Sequence, residues 1–211
     1  MNKKRGLKSL ILRLIFILIG VMGAALGCAL YLRAELGSDP VTAFVEGLGR
    51  TLGVTAGMAT NILYAVTLVA LLIVDRKLIH LGTAIYAFAI GSFIDLFHYL
   101  IPFVVGGDPS MLIRIVMILM GTVFIGIGLG LYQSAELGLG PTDGINQTIA
   151  KKTGISYRYV RILYDILMTL AGWLLGGTVW FGTLLGAFLV GPIMVPAMEW
   201  GKRAIRNMLK N

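Results

Sequence analysis

The sequence predicts an all-α membrane protein of six transmembrane helices, arranged as two inverted three-helix repeats with a short helix after the first transmembrane helix of each. Three observations carry that prediction. The chain of 211 residues is 57% hydrophobic and 13% charged, with a mean hydropathy of +0.88, far more apolar than a soluble domain. Apolar stretches close to the roughly 20 residues needed to cross hydrocarbon recur along it. The chain also repeats itself. Gly20-x6-Gly27-x2-Leu30-Tyr31-x2-Ala34-Glu35-Leu36-Gly37-x2-Pro40 returns as Gly121-x6-Gly128-x2-Leu131-Tyr132-x2-Ala135-Glu136-Leu137-Gly138-x2-Pro141. The echo continues through Gly53 and Gly154, Tyr64 and Tyr164, Gly82-Thr83 and Gly182-Thr183, and Gly91 and Gly191. The shift is 101 residues from Pro40 to Pro141 and 100 from Tyr64 to Tyr164, so one insertion separates two copies of one structural unit.

Taken in order, helices are expected at about 8–32, 56–75, 80–104, 110–135, 156–176 and 179–200. They form one membrane domain, with repeat one at about 8–104 and repeat two at about 110–200. The basic start and apolar core of the first helix mimic a secretory signal, but the apolar run is too long for one. Cys28, the single cysteine, reads as a small core residue and offers neither a disulfide nor a thiolate metal cluster. No metal site and no cofactor are expected.

Basic residues set the topology. Lys3, Lys4, Arg5 and Lys8 place the N-terminus in the cytoplasm. Six crossings then bring Arg76-Lys77, the stretch holding Lys151, Lys152 and Arg158, and the C-terminus with Lys202, Arg203, Arg206 and Lys210 to the same side. Arg33, Arg50 and Arg114 fall on the other. The net charge of +8 therefore suits basic segments beside an anionic leaflet and needs no nucleic acid. Each repeat has three crossings, an odd number, so the second copy enters from the opposite side. The copies are then related by a pseudo-two-fold axis in the membrane plane, the plan of many transporters.

The Ala-Glu-Leu-Gly-x-x-Pro element breaks the chain after the first helix of each copy. Gly37 and Gly138 accept the left-handed backbone beyond a helix end, and Pro40 and Pro141 suit the first position of a new helix. Asp39 can cap the first short helix, at 41–49. Gly140 leaves that place open in the second, at 142–152, where Thr142 and Asp143 stand close by. Neither helix is long enough to span. Each is either a re-entrant half-helix, aiming its N–H groups inward, or an amphipathic surface helix. Val41, Phe44, Val45, Leu48 and Leu52 opposite Glu46 and Arg50 support the second reading. Gly23-x3-Gly27 and Gly126-x3-Gly130 would let the first and fourth helices cross closely; such faces would also serve a homodimer.

Ionisable groups within the apolar helices are few and need a partner or an aqueous cavity. Asp165, with Arg161 one turn earlier, is the candidate for binding substrate or a coupling ion; Asp95 is the other coupling candidate. In the repeat alignment Asp165 faces Ala65, Asp95 faces Val195, Asn61 faces Arg161, and Tyr64 faces Tyr164. Glu35 and Glu136 are symmetric but sit at helix ends.

The paired Ala-Glu-Leu-Gly-x-x-Pro elements, the glycine-rich first helix of each half and the closing Gly-Thr motifs resemble the YczE/YitT-like bacterial integral membrane proteins, from about Gly20 to Gly191. YitT-like members carry a soluble C-terminal domain, and a chain ending soon after Trp200 is closer to the YczE-like branch. The resemblance implies a bacterial inner-membrane location and brings no catalytic residue with it.

There is no Walker loop, His-Glu-x-x-His or cysteine cluster, and no nucleophile–base set for an intramembrane enzyme; an enzyme is not expected. The expected function is a transporter or permease for a small polar or anionic solute, with the lipid bilayer as its surroundings. Alternating access would turn on a site near Asp39, Thr42, Asn61, Tyr64, Thr142, Asp143, Tyr164 and Asp165. The alternative is a non-transporting structural or accessory membrane protein acting with a partner complex.

Overall fold

The computed structural model describes residues 3–210, and all of its regular structure is helical. The order is α1 (Lys3–Ala34), α2 (Pro40–Leu52), α3 (Ala56–Val74), a 3-10 turn (Arg76–Leu78), α4 (Leu81–Val105), α5 (Met111–Ser134), α6 (Pro141–Thr153), α7 (Tyr157–Leu174) and α8 (Phe181–Lys210). Five of these, α1, α3, α4, α5 and α8, are long and apolar enough to cross a membrane. The sixth expected crossing, α7, has 18 residues and carries Arg158, Arg161 and Asp165, so length and composition alone do not qualify it.

The expected stops are present. Gly53 and Gly154 end α2 and α6 in the left-handed conformation, at φ 67° and 74°. Gly37 and Gly138 also have positive φ, 95° and 117°. The preceding glutamates share that strained region: Glu35 and Glu136 both sit at φ 53°, and no other non-glycine described does. A carboxylate residue tolerates such a backbone poorly unless the surroundings hold it. Arginines from the opposite half do so. Arg114 on α5 donates to the Ala34 carbonyl at 3.4 Å and pairs with Glu35 at 3.2 Å. Arg13 on α1 donates to the Ala135 carbonyl and lies 3.6 Å from Glu136. The two arginines are themselves 101 positions apart.

Other contacts match in the same way. The Gly82 amide donates to the Leu137 carbonyl at 2.8 Å, and the Gly182 amide to that of Leu36 at 2.8 Å. The core is the crossing of α1 and α5, flanked by α4 on one side and α8 on the other. Small residues permit that crossing: a Cβ at Gly27 would stand 2.6 Å from the Gly121 carbonyl oxygen, and Gly20 lies as closely on Gly128. The partners differ in part from the sequence expectation. Gly23 and Gly27 face α5, but Gly126 and Gly130 turn away to receive Ile193 and Met194 of α8, because α5 must serve two neighbours with opposite faces.

The short helices pack inside the bundle. On α2 the buried residues are Pro40, Thr42, Ala43, Val45, Glu46, Gly47 and Gly49; on α6 they are Pro141, Thr142, Gly144, Asn146 and Thr148. The surface-helix reading fails at both ends of its pattern. Leu52, on the supposed apolar face, is 53% exposed, while Glu46, on the supposed polar face, is buried. Its carboxylate accepts the Thr178 amide at 2.8 Å and the Thr178 hydroxyl at 2.8 Å, and pairs with Arg50 at 2.6 Å. Small side chains, not large apolar ones, decide which face goes in. Gly47 packs on the Gly172 carbonyl, and Gly172 on the backbone of Ala43 and Phe44.

Candidate functional site

A cavity of about 440 Å³ lies between the halves. Pro40, Val41 and Thr42 from the start of α2, and Thr142 and Asp143 from the start of α6, all line it. Tyr64 of α3 and Tyr86 of α4 contribute aromatic wall; Tyr157, Arg161 and Asp165 of α7 contribute polar wall; Gly186, Val190 and Met194 of α8 complete it. Many linings pair across the repeat: Ala24 with Ile125, Cys28 with Leu129, Thr42 with Asp143, Ile90 with Val190, and Ile94 with Met194.

Of the sequence-selected residues, Asp39, Thr42, Tyr64, Thr142, Asp143, Arg161 and Asp165 reach this cavity. Asn61, Tyr164 and Asp95 do not line it. Asn61 and Asp95 instead tie α3 to α4. The Asn61 Oδ1 accepts from the Gly91 amide at 3.2 Å. Asp95 accepts from the Gly57 amide at 3.0 Å and from the Thr55 hydroxyl at 2.6 Å, so it caps the first turn of α3 from a neighbouring helix. As geometry this is a helix clamp outside the central cavity. Glu35 and Glu136 mark the strained chain breaks outside the cavity.

Charge inside the cavity is unevenly spent. Arg161 ion-pairs with Asp143 and meets both oxygens of Asp165 at 3.1 Å. The Tyr157 hydroxyl donates to Asp143 at 3.2 Å. Asp39 accepts the Thr42 amide at 3.4 Å through Oδ1, which is the N-cap foreseen from sequence. Its Oδ2 is buried and has no hydrogen-bond partner among the described residues. Burial raises the Asp39 carboxyl above its ordinary pKa, against the Thr42 bonds and the more distant Arg161 charge, which lower it. The Thr42 hydroxyl donates to the Cys28 Sγ at 3.4 Å. Tyr64 and Tyr86 lie with ring centroids 5.5 Å apart, and Tyr132 backs Tyr86 at 4.7 Å.

Tyr86, Tyr157, Gln133 and Gln147 are lining residues that the sequence reading passed over. The signal that could have found two of them was disagreement between the copies: Tyr86 aligns with Gly186, and Tyr157 with Gly57. That mismatch has a steric counterpart. Gly186 lies against Asp39, where a Cβ would stand 3.0 Å from the Asp39 Cβ, while Tyr86 lies 3.7 Å from the corresponding position at Gly140. One half puts the bulk on the cap and the other puts it on the long helix.

Helices of this length and hydropathy, packed through glycine and enclosing a polar cavity, define a multi-pass α-helical membrane protein. The model of DUF6198, a family of unknown function, matches residues 11–197, and the chain belongs to that family. It is YczE-like: it is 33% identical over 188 residues to the uncharacterized membrane protein YczE of Bacillus subtilis (strain 168), covering 89% of this chain and 86% of that one. It is 27% identical over 176 residues to the uncharacterized protein YyaS of the same organism, covering 83% and 87%. A Haemophilus influenzae protein is 28% identical over 173 residues, covering 80% and 75%. No solved structure matches the chain.

Proposed function

We propose that this chain is a transporter, moving a small polar solute through the central cavity as its two halves rock against each other. In this reading α7 is the sixth crossing, with Arg161 and Asp165 turned to the cavity while Leu163, Ile166 and Leu170 face lipid. The halves are then an inverted pair in a bacterial inner membrane, with both termini cytoplasmic.

One observation carries the proposal: equivalent seams of the two halves are in different states. α3 lies tightly on α4, with Gly57 and Gly91 in backbone contact. The equivalent pair, α7 and α8, stands largely apart, and a Cβ at Gly191 would meet nothing within 4 Å. Two matched units that differ in this way offer two alternative arrangements of the same seam, which is what alternating access requires. In the proposed orientation the closed α3–α4 clamp faces outward and the open α7–α8 seam faces the cytoplasm.

The test has two parts, each with Cys28→Ala as background. Single cysteines at Arg50 and Lys151 are treated in intact cells with a membrane-impermeant thiol reagent; labelling at 50 and protection at 151 is expected, and equal labelling sinks the inverted arrangement. Cysteines at Tyr157 and Val195, the equivalents of the Gly57–Asp95 contact, should cross-link within one chain when α7 closes on α8. A pair that never cross-links removes alternating access and leaves the non-transporting accessory reading.

A further inference from the structure

We propose, building on the transport reading, that the solute held in this cavity is a cation bearing an ammonium group, with Asp39 as its counter-charge and Tyr64 and Tyr86 as its aromatic wall. The starts of two short helices would ordinarily favour an anion. Here each start already faces a carboxylate: Asp39 caps α2, and Asp143 stands in the first turn of α6. Among the described residues the one guanidinium lining the cavity, Arg161, is engaged on both sides by Asp143 and Asp165. An incoming anion would therefore meet three carboxylates and no uncommitted positive group.

A cation meets the reverse. The Asp39 Oδ2 is buried without a partner, and a buried carboxylate oxygen in that state is stabilised by a positive group brought within hydrogen-bond reach. Tyr64 and Tyr86 line the same space, and aromatic rings attract an ammonium centre in a desolvated site. Gly186 lets α8 pack directly against Asp39 beside the cavity, since any side chain there would press on the Asp39 Cβ and the Tyr31 hydroxyl. The pattern is absent from the equivalent place in the other half, where Gly140 carries no charge and the tyrosine fills the volume. The unpartnered negative group therefore belongs to one half of the cavity and has no counterpart in the other.

The experiment is thermal unfolding of the purified full chain in detergent. Choline chloride and methylammonium chloride are compared with sodium acetate, all against sodium chloride of equal ionic strength. The expected result is a saturable rise in melting temperature with the ammonium salts and none with acetate. In Asp39→Asn the half-saturating concentration should rise on the order of tenfold or more, while Glu199→Gln, an exposed change on α8, should leave it unmoved. A saturable response to acetate, a response to neither salt, or an ammonium response unchanged in Asp39→Asn overturns the assignment. Should Asp39→Asn fail to fold, the comparison of salts on the unmodified chain still decides the sign of the charge, and Tyr86→Leu tests the aromatic wall. The 157–195 cross-link is read separately: closure without an ammonium response sinks the charge assignment alone, and an ammonium response without closure sinks the transport reading alone.

Discussion

The α3–α4 and α7–α8 seams occupy matched positions of the repeated sequence and are packed differently. At the first, Gly57 meets Gly91, Asn61 bonds the Gly91 amide and Asp95 caps the start of α3. At the second, the same four places hold Tyr157, Gly191, Arg161 and Val195, and the helices stand largely apart. In place of a clamp the second seam has bulk and an arginine that pairs with Asp143 and Asp165. The matched positions thus differ in role: in one half they clamp two helices together, and in the other they set Tyr157 and Arg161 on the cavity wall.

The largest effect should come from making the second seam resemble the first. Arg161→Asn leaves Asp143 and Asp165 facing one another without their shared partner. Removing one side of such a partly buried pair should destabilise by about 2–4 kcal/mol, measured by thermal or denaturant unfolding in detergent. Adding Asp165→Ala, which copies Ala65, should recover part of the loss because the orphaned charge goes with it. If Arg161→Asn unfolds like the parent, the arginine is not the centre of that cluster.

The next effect separates the seams sterically. Gly91→Ala drives a methyl group into the Gly57 carbonyl and the Asn61 side chain, and overpacking of that kind costs about 1–3 kcal/mol. Gly191→Ala meets nothing within 4 Å and should stay within about 0.5 kcal/mol of the parent, yet it should weaken the 157–195 cross-link by obstructing closure. Equal losses at the two glycines would mean that the seams are equivalent in solution after all. A smaller loss, about 1 kcal/mol, is expected from Asp95→Ala, which removes the cap over Gly57 and the bond to Thr55; an unchanged melting temperature would show that the clamp rests on glycine packing alone.

Much of this was legible in the sequence because glycine and proline punctuate it. Gly37, Gly53, Gly138 and Gly154 sit at positive φ where a helix has to end, and Pro40 and Pro141 open the short helices. Their inward packing was not legible, since Val41, Phe44, Val45, Leu48 and Leu52 make an apolar stripe that fits a surface helix equally well. The deciding contacts are backbone to backbone, through Gly47 and Gly172, and hydrophobic periodicity does not register them. Arg13 and Arg114 were missed for a related reason. A basic residue near a helix end reads as a topology marker, and only the fold reveals that each reaches across to the strained glutamate of the opposite half. Asp95 looked like a coupling residue because its depth in α4 was visible and its partners, Thr55 and Gly57, were not.

The smallest effect runs in the stabilising direction, and it is the sharpest for the comparison because only one half carries the group. Asp39 caps α2 while its counterpart Gly140 caps α6 with no side chain at all. Burial holds the Asp39 carboxyl above its ordinary value of 3.8. A group whose folded pKa is raised contributes its full stability below the unfolded pKa and loses it as pH rises through the folded one. At about pH 8 the charged form is therefore a burden that Asp39→Asn removes while keeping an acceptor for the Thr42 amide. The variant should melt higher than the parent by roughly 2–4 °C for each kcal/mol recovered. That advantage should shrink as the pH falls through the raised folded pKa and vanish below about 4, where the carboxyl is protonated in the folded and unfolded chain alike. The subtraction of parent from variant at each pH isolates Asp39 from every group the two chains share. A gain that persists at low pH would place its cause in packing, and a variant less stable than the parent at about pH 8 would mean that Asp39 already has a positive partner in the folded protein. The same substitution should weaken the ammonium response on the order of tenfold or more, so a chain that becomes more stable as its hold on the solute loosens would identify Asp39 as a charge kept for binding.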